Sequence, residues 1–146
     1  EFKIVPIILG SKDDAILLAD TIRANVSFSS HSKRVILIVS SDFIHYGPNY
    51  GYTVFGEYKK EVISEYDKKA ITEITFINPE GFIREVNKNS LTICGTYPIY
   101  CLLKYFSDLK RKKREIYSKL LCYYHSADIL ASKNSVSYAS IGFFER

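Results

Sequence analysis

Methionine and tryptophan are absent from this sequence, and cysteine occurs three times. With no methionine there is no initiator at residue 1, so the sequence is expected to be part of a longer chain. Cys94, Cys101 and Cys122 show neither paired spacing nor a CxxC, and their number is odd. That argues against a disulfide framework and against a zinc finger. No apolar run approaches the ~20 residues of a membrane span, and the first residues carry no signal-peptide pattern. A cytoplasmic protein with no membrane partner is expected. There is no Walker loop, GxGxxG, HExxH or G-x-S-x-G elbow, which removes the common nucleotide-binding, zinc-protease and serine-hydrolase readings.

What is present fits one domain. The 146 residues, 47% of them apolar and 25% charged, are enough to bury a core. Twelve Tyr and nine Phe point to aromatic packing in a core or groove. The net charge of +4 is local. Residues 110–114 are five consecutive basic side chains; without them, 15 basic residues face 16 acidic ones. Such a block can grip phosphates or an anionic surface, but most are solvated loops. No interleaved stacking aromatics accompany it, which argues against nucleic acid as a partner.

Along the chain, residues 3–9 (KIVPIIL) predict a strand with a free edge at Pro6. Residues 13–26 repeat apolar positions at helical spacing, with Asp13 and Asp14 at the positive end. His31, in the polar stretch 27–33, reads as a solvated loop histidine. Residues 34–40 predict a central strand buried on both faces, which completes a βαβ unit. Helices are expected over 55–77, 79–88 and 96–108, with a short apolar run over 91–95 that ends in Gly. The last two strands fall at 116–124 and 136–144, joined by SADILASKNS. This order predicts an α/β fold: a three-layer sandwich with a central mixed β-sheet flanked by helices.

Ligands of open α/β sheets bind beyond the carboxyl ends of the strands, and there the central run gives way to Asp42-x-x-His45. A carboxylate beside an imidazole fixes its tautomer and raises its basicity, which suits acid–base work or support of a metal. The alternative is a turn-capping Asp and a satisfied His. Cys94 lies just before Gly95 and a helix start, where the helix dipole favours a thiolate, a nucleophile and soft metal ligand. Here the alternative is an inert buried thiol, the role expected of Cys101 and Cys122. His125 and Asp128 are also three apart, but in a connection between strands, where solvated turn chemistry is the expectation.

Three stretches, SSDFIHYG at 40–47, LTICGTYPI at 91–99 and SVSYASIGF at 135–143, resemble the Memo family. The resemblance covers nearly the whole chain and matches the C-terminal half of a Memo protein. It implies that residues 1–146 are the C-terminal part of a single Memo-like, LigB-like domain, similar in fold to class III extradiol non-haem iron dioxygenases. It implies a copper or iron ion, with Cys94 as metal ligand and possible redox or dioxygenase-like chemistry. His45 and Asp42 would line the same pocket, His45 as the acid–base residue. The family's N-terminal histidine motifs have no counterpart here, so the N-terminal half of the same protein is the expected partner. Alone, this chain is expected to bind metal weakly or not at all. The competing expectation is a non-enzymatic adaptor that binds phosphotyrosine-containing peptides.

Overall fold

A computed structural model describes residues 2–26 and 35–145. His31 and its polar stretch lie outside the described residues. Four helices form: α1 (Lys12–Asn25), α2 (Lys60–Thr75), α3 (Pro79–Lys88) and α4 (Thr96–Arg111). Three strands join them: β1 (His45–Tyr46), β2 (Ile116–His125) and β3 (Ser135–Glu145). The chain is an α/β sandwich.

Local chemistry explains the helix ends. Ser11 caps α1 by accepting the Asp14 amide at 3.1 Å, and Asp13 and Asp14 sit in the first turn, where the dipole favours them. Asn78 caps α3 through the Gly81 amide at 3.1 Å, and Pro79 occupies the first turn, where it loses no hydrogen bond. Helix α2 starts five residues later than the 55–77 pattern predicts. Phe55 and Tyr58 instead leave the helix and pack beside Tyr46, the Phe55 ring stacking on Tyr66 at 4.3 Å. Two basic residues of the 110–114 block extend α4, and Arg114 pairs with Glu145.

The described strands form a three-stranded sheet of order β1-β3-β2, antiparallel throughout. β2 and β3 pair along their length, from Ile116 opposite Glu145 to His125 opposite Ser137, with a register shift between Leu120 and Cys122. α2 packs on this hairpin and α1 packs on α4. The core between them includes Ile44, Tyr46, Ile63, Phe82, Tyr100 and Leu103.

Two predicted strands are not strands here. Residues 3–9 and 35–40 belong to no ladder. Apolar periodicity marks a segment that wants cover, but a strand also needs a neighbour to satisfy its N–H and C=O groups. Nor is the run at 35–39 buried on both faces. Leu37 and Val39 pack against the core, whereas Ile36 is 81% exposed and Ile38 86% exposed. Ile4, Val5 and Ile8 are likewise exposed. Cys101 is buried as expected, but Cys122 is exposed on β2.

Candidate metal centre

The site is built where residues 41–46 turn from the extended segment into the sheet. One side of this stretch bonds to β3: the Phe43 amide donates to the Ser137 carbonyl at 2.9 Å, and the Ser137 amide donates to the Ile44 carbonyl at 3.1 Å. The other side is clamped by Thr92. Its hydroxyl oxygen accepts the His45 amide and donates to the His45 carbonyl, each at 2.9 Å. Phe43 and Ile44 are buried, which anchors the stretch and leaves Asp42 and His45 partly open to solvent. Gly47, with φ of 121°, ends it. A Cβ there would come within 2.6 Å of the Lys133 carbonyl, so only glycine fits.

Thr92 also brings in the neighbouring cysteine. The Asp42 amide donates to the Cys94 sulfur at 3.2 Å. The Gly95 amide donates to the Ser41 hydroxyl at 2.9 Å, tying the two stretches together one residue further on. His45 Nε2 lies 3.4 Å from Asp42 Oδ2, and its ring stacks on Tyr50 with centroids 5.4 Å apart. The donor atoms of Asp42, His45 and Cys94 all lie within 4.8 Å of one another. Numbering does not bring Cys94 to His45; the fold does.

This donor set fits a metal ion. Metal–ligand bonds of about 2.0–2.3 Å place neighbouring donors roughly 3–4 Å apart, so small side-chain movements would close the group around an ion. Thiolate, imidazole and carboxylate together suit copper, iron or zinc better than magnesium or calcium. The Asp42 N–H on the sulfur is the kind of contact that orients a ligating side chain. Cys94 is exposed, leaving one side open to further ligands. The other cysteines lie outside the group, and burial pushes the Cys101 thiol up to about 11, which makes it inert.

A second cluster was not expected from the sequence. His125 is fully buried rather than in a solvated turn. Its Nδ1 lies 3.1 Å from the Tyr58 hydroxyl; its Nε2 lies 2.9 Å from both the Ser64 and Tyr123 hydroxyls. Tyr123 donates to Asp67 Oδ2 at 2.7 Å, so its oxygen accepts from His125 Nε2–H, and Nδ1 accepts from Tyr58. Asp128 accepts the His125 amide and pairs with Lys60. Asp67 is itself fully buried. Its signal was present: it stands on the apolar side of α2 with Ile63, Ala70, Ile71 and Ile74.

Burial lowers the His125 pKa from 6.5 and raises that of Asp67 from 3.8. The signs oppose each other. Between the folded His125 value and 6.5 the unfolded chain binds more protons, so stability falls as pH drops through that window. Above 3.8 the folded chain holds the Asp67 proton longer, so stability falls as pH rises through the folded Asp67 value. Denaturant melts of His125→Gln should therefore lose the acid-side slope just below pH 6.5, and those of Asp67→Asn the opposing slope. Parallel pH profiles for His125→Gln and the parent would contradict the assignment.

No helix among the described residues is long and apolar enough to cross a membrane. The family model described as "Memo-like protein" matches residues 1–142. A MEMO1 family protein of Thermococcus kodakarensis is 34% identical over 148 residues, covering 98% of this chain and 49% of its own length. One of Thermococcus onnurineus is 32% identical with the same coverage. Protein MEMO1 of Rattus norvegicus is 28% identical over 146 residues, covering 96% of this chain and 48% of its own. The chain thus spans about half the length of the curated relatives it matches. It belongs to the Memo family.

Proposed function

We propose that this chain is the C-terminal part of a cytoplasmic Memo protein and supplies one wall of a copper or iron site used for redox or dioxygenase-like chemistry. The observation that carries this reading is that Asp42 and His45 converge on the Cys94 sulfur, so that an ion held by the sulfur has the imidazole beside it to move protons rather than as a further ligand. Cys94 binds the metal through its sulfur. When bound, the ion supplies Lewis acidity and one-electron redox capacity. Asp42 Oδ2 faces His45 Nε2 and favours the tautomer with the proton there, which leaves Nδ1 as the basic nitrogen that takes or gives a proton. The Tyr50 ring restrains the imidazole plane.

The remaining ligands come from the N-terminal half of the same protein. Two observations support that partner. The chain covers about half of its relatives, and Ile4, Val5, Ile8, Ile36 and Ile38 form exposed apolar surface on segments without ladder partners. Monomeric proteins rarely leave such surface open.

The test is a metal titration of the full-length protein beside its His45→Ala variant. His45→Ala should keep copper or iron affinity within about threefold while losing about 100-fold or more of any turnover. Loss of metal affinity on that substitution would make His45 a ligand rather than the proton-moving group. A phosphotyrosine peptide titration, with and without metal, gives the competing outcome. Peptide binding that ignores metal and survives Cys94→Ser would replace this reading with an adaptor.

A further inference from the structure

The ladder that anchors residues 43–46 on β3 stops short. The Phe43 amide donates to the Ser137 carbonyl and the Ser137 amide donates to the Ile44 carbonyl, so both backbone groups of Ser137 point to that edge of β3. Backbone direction alternates along a strand, so Ala139, Ile141 and Phe143 present theirs to the same edge. Among the described residues no strand pairs with them there, since the ladder to β1 covers only Ser135 and Val136. Across a gap from that edge runs the segment 35–40, which is also outside any ladder.

The gap is a cavity of about 670 Å³. Residues 35–39 form one bank and residues 139–145 the other, over a floor of α4 that includes Leu102 and Phe106. Protein interiors leave few voids larger than a water molecule, so a space of this size between apolar walls calls for an occupant. The charged residues that line it, Arg114 and Glu145, pair with each other, so nothing there selects a charged ligand. The occupant also has to meet backbone groups on both banks, because buried N–H and C=O groups rarely go unpaired. A helix satisfies only its own backbone, whereas a β-strand bonds to both banks at once. Residues 27–34, which lie outside the described residues, read SFSSHSKR and do not match these walls. The relatives, by contrast, carry about as many residues again as this chain covers.

We propose that an apolar β-strand from the N-terminal half of the full-length protein inserts between residues 35–40 and β3 and completes the sheet. This rests on the reading that such a half is the partner, and it names where that half docks. Ser41 lines the same cavity and accepts the Gly95 amide at 2.9 Å, so one end of the inserted strand lies beside Cys94, where further ligands are needed.

The experiment uses the full-length, metal-free protein. The photo-crosslinker p-benzoylphenylalanine is placed at Ile38 and, separately, at Ser140, both exposed and both lining the cavity. Each variant is checked for folding by circular dichroism. Irradiation and mass spectrometry should join both positions to one apolar segment of the N-terminal half, within a single molecule. In the parent, the amides of Ala139, Ile141 and Phe143 should exchange at least about 100-fold more slowly than free-peptide amides. Free exchange at all three overturns the proposal. So do crosslinks that run only between Ile38 and β3, which would mean that the gap closes on itself, and crosslinks to residues 27–34 or to a second copy at twice the monomer mass. Should one variant not fold, the other and the parent's exchange carry the test. Copper affinity is measured separately. A protein that passes here and binds no copper loses the metal reading and keeps the strand; copper binding with failed crosslinks does the reverse.

Discussion

Cys94→Ser in the full-length protein is expected to lower copper or iron affinity by more than about 100-fold, with the fold retained. Outer-shell substitutions at metal sites cost roughly 10–100-fold, and removing a ligand costs more. Serine nearly preserves the size of the side chain while replacing a soft thiolate with a hard, protonated hydroxyl. The structural cost is small because Cys94 is exposed and its contacts to Ser41 and the Asp42 carbonyl are long, each 3.8 Å. A competition titration against a chelator of known affinity measures the effect. Affinity equal to the parent's would remove Cys94 from the ligand set.

The second large effect belongs to a residue without a side chain. Gly95→Ala places a Cβ within 2.3 Å of Ser41 Cβ and 2.6 Å of Ser41 Oγ. The Gly95 backbone, at φ of −90° and ψ of 31°, is open to alanine, so the cost is one of contact, not of strain. Ser41 must retreat, and with it the Asp42 amide that donates to the Cys94 sulfur. Overpacking of this kind costs about 1–3 kcal/mol, and metal affinity should fall by about 10–100-fold. A lowered denaturant midpoint together with weakened metal binding is the expected pair of results. A variant as stable as the parent, with the same affinity, would show that the close approach at Gly95 does not hold the site.

The parts legible in the sequence were those set by local chemistry. Asp13 and Asp14 marked the start of α1, Pro79 opens α3 where the 79–88 pattern begins, and the runs at 116–124 and 136–144 marked the β2–β3 hairpin. Asp42, His45 and Cys94 were each legible because loop glycines and a helix start surround them. Their convergence was not, since it depends on Thr92 clamping His45 and on Gly95 admitting Ser41, both contacts between distant stretches.

Two other features escaped for physical reasons. His125 looks like a turn residue in the sequence because it borders SADILASKNS, yet the hairpin register sets it opposite Ser137 and under α2. The run at 35–39 has the pattern of a paired strand because it is apolar throughout. Composition carries no information about which neighbour supplies the ladder, and within the described residues none does.

The most direct test of the shared metal centre is X-ray absorption of the full-length native protein with its own metal bound. One sulfur at about 2.3 Å among nitrogen and oxygen neighbours is expected, lost in Cys94→Ser. A metal shell of nitrogen and oxygen alone, unchanged by that substitution, would contradict it.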